Sequence, residues 1–179
     1  MADNAKVITI FGTGKAGPDD EVFQTAGQIA KALAQRGFTI ANGGYGGTML
    51  AAAQAANQAG GEVIGVTCRA FGRAGANEYV TTEIVTDSLP ERLDKLIELA
   101  SGYIVLPGST GTLLELAAVW ELKNKGFAEA DKPIIIAGPF WEALIDMIVD
   151  QDPASKGCLQ IAATADEAVE ILSGYFANG

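Results

Sequence analysis

The chain has 179 residues, enough for one domain with a full core, and its 49% hydrophobic and 19% charged content is that of a globular protein. Acids outnumber bases 22 to 12, a formal net charge of −10, which argues against non-specific nucleic-acid binding and against an anionic membrane as partner. A small anion remains compatible with that charge, because a pocket can be locally positive.

The pattern alternates strand and helix from end to end. Lys6–Phe11 reads as a first strand, and Asp19 or Asp20 can cap a helix that runs to about Arg36 and stops at Gly37. Phe38–Ala41 is a second strand, followed by a glycine-rich loop and a small-residue helix over Thr48–Gln58. Glu62–Thr67 is a third strand, Cys68–Glu78 a loop, and Tyr79–Val85 a fourth strand. Ser88 and Glu91 have the spacing of a capping box, opening a helix to about Ala100. Tyr103–Leu106 is a fifth strand, Thr112–Asn124 a helix, Pro133–Ala137 a sixth strand and Phe140–Val149 a helix. Gln160–Ala163 is a short last strand, and Thr164 caps a final helix over about Asp166–Leu172. Near-continuously apolar strands separated by helices predict an α/β fold, a Rossmann-like doubly wound parallel sheet in three layers. One domain is expected over residues 1–179. Ligands of such sheets sit at the carboxyl ends of the strands, where three glycine-rich segments here converge.

No run of about 18 apolar residues suggests a membrane span, and no basic-then-apolar leader is present. The two cysteines, Cys68 and Cys158, have no metal-like spacing and read as reduced thiols in a cytoplasmic protein. With no histidine in the chain, acid–base chemistry falls to carboxylates. Neither a metal nor a redox cofactor is expected.

The richest stretch is Leu106–Glu115. A strand stops at Pro107-Gly108, small hydroxylated residues Ser109, Thr110 and Thr112 follow around Gly111, and a helix opens. A strand, a glycine-rich turn and a helix N-terminus form an anion pocket from backbone N–H groups. One acid, Glu115, interrupts a helix that is otherwise apolar from Leu113 to Trp120. Burying a lone carboxylate is costly unless it is paired or used. Either a structural acid paired with an arginine or a working carboxylate fits, and the two are compatible.

Gly12, Thr13 and Gly14 begin a segment that matches G-x-G-x-x-G through Gly17, yet Pro18, Asp19 and Asp20 delay the helix. No acid follows the second strand, as a dinucleotide fingerprint requires. A phosphate or ribose contact and a plain tight turn both remain open for this loop. Four glycines in six residues, Gly43, Gly44, Gly46 and Gly47, favour ligand contact beside a structural role. Arg92 sits at the margin of its helix's apolar stripe; a surface pair with Glu91 or Glu98 competes with a functional role.

Pro107–Glu115 resembles the P-G-G-x-G-T-x-x-E signature of the LOG (LONELY GUY) family, cytokinin-nucleotide phosphoribohydrolases long mislabelled as lysine decarboxylases. The molybdenum cofactor carrier proteins are related members of that superfamily. Phe11-Gly12-Thr13 is similar to the family's F-C-G-S turn, Gly43–Met49 to its G-G-G-x-x-G-L-M-G loop, and Gly60–Val66 to its third strand. Arg92 falls where the family's M-x-x-R-K arginine falls. The chain departs from the pattern at Ser109 for the second glycine, Leu93 for lysine, Leu114 for the first of two adjacent acids, and Thr67 for proline.

The resemblance implies catalytic roles for Arg92 and Glu115 and a phosphate-binding turn at Thr110, Gly111 and Thr112. It implies a phosphorylated ligand, either an AMP-like nucleotide or a pterin cofactor. Two activities stay open: hydrolysis of the N-ribosidic bond of a nucleoside 5'-monophosphate, or binding and carriage without turnover. The apolar helix over Leu113–Leu122 and the family likeness together point to a homodimer or higher homo-oligomer. A pyridoxal-dependent decarboxylase would need a Schiff-base lysine in a larger scaffold, and no residue marks one.

Overall fold

The computed structural model describes residues 6–127 and 130–177. Seven strands, β1 (Val7–Phe11), β2 (Thr39–Asn42), β3 (Val63–Cys68), β4 (Thr82–Thr86), β5 (Gly102–Val105), β6 (Ile134–Ala137) and β7 (Gln160–Ala162), form one parallel sheet. Their order is β4-β3-β2-β1-β5-β6-β7. The expected Rossmann-like α/β architecture is the one observed.

Among the described residues six α-helices cover the sheet: α1 (Glu21–Gln35), α2 (Thr48–Gln58), α3 (Leu89–Leu99), α4 (Thr110–Asn124), α5 (Glu142–Gln151) and α6 (Ala165–Ala177). They split into two faces because each apolar stripe needs a sheet surface to cover. Ile29 and Leu33 of α1, Ala52 and Ala56 of α2, and Val169 and Leu172 of α6 share a core with Ile8, Ile40 and Ile104. Leu96 and Ile97 of α3, Leu116 and Trp120 of α4, and Ile145 of α5 pack with Phe11, Val66, Tyr103 and Val105 on the other face. Small residues set the spacing between α1 and α2. A Cβ at Gly27 would lie 3.7 Å from both the Ala51 carbonyl oxygen and the Ala55 Cβ.

The chain leaves β1 toward β2 through α1 on one face and leaves β5 toward β6 through α4 on the other. β1 and β5 are neighbours, with Phe11 opposite Val105. A crevice therefore opens beyond their carboxyl ends, at the topological switch point.

The largest departures from the expected boundaries are in β4 and α6; α4 and α5 differ by two residues at an end. β4 begins at Thr82, not at Tyr79. The Thr81 hydroxyl accepts from the Val63 amide at 2.9 Å, and the Asn77 side chain accepts from the Tyr79 amide at 3.1 Å. Side chains thus take bonds that a longer strand would have made. α6 runs on to Ala177, past Leu172. Short 3-10 turns at Arg69–Phe71 and Pro153–Cys158 were not expected.

Candidate functional site

Beyond β1 and β5 lies a pocket of about 400 Å³. Gly12 and Gly14 come from the turn after β1, Ser109, Thr110, Gly111 and Thr112 from the start of α4, and Arg92 and Glu115 from α3 and α4. Tyr45, Met49, Phe71, Arg73, Leu89, Leu93 and Leu114 complete the wall. Seven of the residues expected at a site, Gly12, Arg92, Ser109, Thr110, Gly111, Thr112 and Glu115, therefore meet in one place. Thr13, Gly43, Gly44, Gly46, Gly47, Pro107 and Gly108 do not line this pocket. Pro107 instead borders a separate cavity, of about 370 Å³, with Gly138, Pro139 and Thr164.

Gly43, Gly44, Gly47 and Gly108, outside the pocket, have protein atoms close to where a Cβ would go, whereas Gly46 has only an ordinary contact at 3.7 Å. A Cβ at Gly43 would lie 1.7 Å from Arg92 Nη2. Gly47 has a φ of +65°, and its Cβ would lie 2.2 Å from the Thr13 carbonyl oxygen. That oxygen accepts from the Thr48 amide at 2.9 Å and from the Thr48 hydroxyl at 3.0 Å. The turn after β1 is thus tied to the start of α2, and no helix opens within it: α1 begins only at Glu21. The Asp20 carboxylate accepts from the Gly17 amide at 2.7 Å, closing the intervening turn.

Asn42 stands at the end of β2, fully buried. Its amide nitrogen donates to the Met49 carbonyl at 3.2 Å and its oxygen accepts from the Gly44 amide at 2.8 Å. It shapes the glycine loop from inside and is not free to hold a ribose. Tyr45 is held as firmly: its hydroxyl accepts from the Cys68 amide at 2.8 Å and donates to the Cys68 carbonyl at 3.3 Å.

Arg92 does not form the surface pair weighed from the sequence. It is buried, although its helix position sits at the edge of the apolar stripe, because the missing Cβ of Gly43 leaves room for its guanidinium. Its Nε donates to the Val66 carbonyl at 2.8 Å, and its Nη1 lies 3.7 Å from Glu115 Oε1. Glu91 accepts from the Asp87 amide instead, and Glu98 pairs with Lys95.

Burial pushes the Glu115 carboxyl up to about 7, and the attraction of Arg92 only partly opposes the rise. Burial likewise lowers Arg92, with Glu115 opposing. Both shifts have the same physical origin: at 3.7 Å the pair does not recover what desolvation costs. Acids and bases of active sites titrate near neutral pH in clefts, and structural ion pairs are shifted in the same way.

α4 begins at Thr110 directly on the pocket, and its N-cap Ser109 makes no side-chain capping bond. The first N–H groups of a helix have no intrahelical partner, and the dipole there favours an anion. Among the described residues no three His, Cys, Asp or Glu side chains cluster as a metal site, and no helix is long and apolar enough to cross a membrane.

The profile of a protein family described as "possible lysine decarboxylase" matches residues 49–174, which include Arg92, Glu115 and the α4 turn. The chain belongs to this family. Among its relatives are LOG proteins. A Mycobacterium tuberculosis cytokinin riboside 5'-monophosphate phosphoribohydrolase is 34% identical over 123 residues, covering 67% of this chain and 64% of its own length. The chain therefore spans just under two thirds of that relative. The Oryza sativa subsp. japonica enzyme of the same description, LOG, is 27% identical over 150 residues, covering 81% of this chain and 62% of its own. Among solved structures, the molybdenum cofactor binding protein of Rippkaea orientalis has a TM-score of 0.81 at 21% identity, covering 98% of this chain and 99% of that one. The molybdenum cofactor carrier protein of Chlamydomonas reinhardtii has a TM-score of 0.77 at 24% identity, covering 97% and 99%. At those identities the likeness is one of fold.

Two residues of this pocket had no signal in their own neighbourhood of the sequence. Phe71 and Arg73 lie in a segment that reads as loop, and both reach the pocket. The loop is placed from outside it. The Asn77 amide donates to the Gly44 carbonyl at 2.7 Å, and the Glu83 carboxylate accepts from the Ala76 amide at 3.0 Å and from the Thr67 hydroxyl at 2.7 Å.

Proposed function

We propose that the protein is a nucleoside 5'-monophosphate phosphoribohydrolase. The observation that carries this reading is the Glu115 carboxyl, raised to about 7 beside Arg92, in the same pocket as the N-terminal turn of α4. The 5'-phosphate is held by the N–H groups and hydroxyls of Ser109–Thr112, with Gly12 against it. Gly43 acts by giving its space to Arg92, Gly47 by giving its own to the turn after β1, and Gly44 by its close approach to Gly65 and Thr67 of β3, with Gly46 completing the loop; Thr13, Pro107 and Gly108 shape the two phosphate-side turns.

Water adds to C1' of the ribose while the bond to the base nitrogen breaks. The bonding electrons leave with the base, which takes up a proton, and ribose 5-phosphate is the other product. Positive charge builds on the sugar as the base departs, and ionised Glu115 stabilises it and orients the water. Arg92 holds Glu115 partly ionised and positions it. The carboxylate form grows as pH rises through about 7, so turnover is expected to fall below neutral pH. Incubation with AMP, followed by chromatography for free adenine, tests the reading. Release abolished in Glu115→Ala supports it; tight AMP binding without release in the wild type refutes it.

A second reading, carriage of a phosphorylated pterin cofactor without turnover, has its own support. Leu93 and Leu114 line the pocket where the LOG pattern has a lysine and an acid, which makes the wall less polar. The carrier-type structures also match nearly the whole chain.

We also propose a homodimer, in a cytoplasmic setting. Leu114 is 41% exposed and Ile148 39% exposed, and a groove of about 290 Å³ between α4 and α5 is lined by Leu113, Ala117, Leu144 and Ile148. An apolar face of this kind is suited to burial against a second copy. Sedimentation at micromolar concentration tests it, and a monomer alone refutes it.

A further inference from the structure

Three side chains lining the pocket carry a formal charge: Arg73, Arg92 and Glu115. Arg92 and Glu115 face each other at 3.7 Å, and Arg92 also donates to Val66. Their charges are committed to one another. Arg73 has no carboxylate partner among the described residues, although acids outnumber bases 22 to 12 in this chain. Its guanidinium carbon lies 4.7 Å from the centre of the Tyr45 ring and 5.9 Å from that of Phe71. Arg92 faces the same two rings at 5.7 and 5.5 Å. Two guanidinium groups thus share one aromatic wall, and the charge of Arg73 adds to the lowering of Arg92 that burial begins. Such an excess of positive charge in an acidic protein suits an anion.

The loop that carries Arg73 is pinned on both sides. Arg69 pairs with Asp87 at 2.5 Å before it, and Ala76 and Asn77 are bonded to Glu83 and Gly44 after it. Gly72 and Gly75, with φ of +63° and +87°, flank the tip. The exposed Arg73 side chain rests on its rings by a weak, non-directional contact, so its N–H donors are available to a ligand.

We propose that Arg73 is the second anion-binding residue of this pocket, donating to the phosphoryl oxygens of a phosphomonoester whose phosphate lies at the start of α4. The inference rests on the phosphomonoester reading above and deepens it. A helix N-terminus supplies roughly half a positive charge, against nearly two negative charges on a phosphomonoester. Arg92 is occupied by Glu115, so the remaining charge falls to Arg73. It thereby selects the phosphorylated ligand over the same molecule without phosphate.

Calorimetric titration of wild type, Arg73→Ala and Arg73→Lys with AMP, ribose 5-phosphate and adenosine tests the proposal. In Arg73→Ala, affinity for AMP and ribose 5-phosphate should fall on the order of 10- to 100-fold, as for loss of a hydrogen bond to a charged group. Adenosine binding should be unchanged, and Arg73→Lys should recover part of the loss through its retained charge. Equal losses for AMP and adenosine would place Arg73 on the base and overturn the proposal, as would unchanged affinities in Arg73→Ala. A wild type that binds neither AMP nor ribose 5-phosphate overturns the phosphomonoester reading itself. Because residue 73 is exposed at a loop tip, circular dichroism of the variants should match the wild type.

Discussion

After β2 the chain places glycines at 43, 44, 46 and 47; after β5 it places them at 108 and 111. In the first loop a Cβ would lie 1.7 Å from Arg92 Nη2 at Gly43 and 2.2 Å from the Thr13 carbonyl oxygen at Gly47. In the second, a Cβ at Gly108 would lie 2.1 Å from Thr112 Oγ1, whereas one at Gly111 would meet nothing within 4 Å. The first loop gives its space to protein atoms and so builds the wall that carries Arg92. The second keeps one open position on the first turn of α4, facing the pocket. Glycine content is similar in kind, and its physical meaning differs with what occupies the absent side chain's volume.

That contrast can be broken by substitution. The largest effect is expected for Gly47→Ala, which combines a positive φ with a clash against backbone. A loss of about 3 kcal/mol in urea unfolding is expected, and a loss within experimental error would show that the loop after β2 does not depend on its closure against Thr13.

Arg92→Met should come next, because it leaves Glu115 buried without its cation. The cost should be about 3 kcal/mol near pH 8 and much smaller near pH 5. The Glu115 carboxyl is raised in the fold, from 4.5 to about 7, so the neutral form favours the folded state. That contribution is fully present below the unfolded value and is lost as pH rises through about 7. Removing Arg92 takes away the opposing attraction and should steepen this loss. Equal destabilisation at both pH values would mean that the pair is not electrostatically coupled.

Gly43→Ala should be intermediate for stability, about 1–2 kcal/mol, since the obstructing atoms belong to a side chain that can move. Its signature is functional. With Arg92 displaced, adenine release or AMP binding should fall more than the stability change accounts for. Retained activity would separate Arg92's position from the chemistry.

The smallest effect on the fold is expected for Gly111→Ala. Position 111 lies in the first turn of α4 with free space around it, so stability should stay level or rise by about 0.5 kcal/mol. Binding of phosphomonoesters should weaken severalfold, because the added methyl group crowds the open turn. Unchanged binding would move the phosphate away from the start of α4.

Much of this site could be read in the chain itself. The Pro107–Glu115 run marked a strand end, a helix start and a lone acid, and the structure puts Ser109–Thr112 and Glu115 on one pocket. Arg92 was marked as a group near Glu115, but its burial was not, because Gly43, 49 positions earlier, decides whether the guanidinium turns inward. Asn42 sat where a dinucleotide fingerprint would have an acid, and its buried bonds to Gly44 and Met49 show a different use. α4 looked apolar all round. In the monomer Leu116, Val119 and Trp120 are buried, while Leu114 and Ala117 face outward.

The order of apolar runs, turns and caps along this chain was sufficient to specify alternating strands and helices, a parallel sheet and a cleft at its carboxyl edge. These follow from local periodicity and from the few ways in which such elements can cover one another. What only the folded molecule decided was the company each charged group keeps. Glu115 titrates near neutrality because α3 and α4 bury it beside Arg92. Arg73 reaches the same pocket because Asn77 and Glu83 hold its loop there. Desolvation and charge pairing act between side chains far apart in the chain, so they come into being only with the tertiary structure.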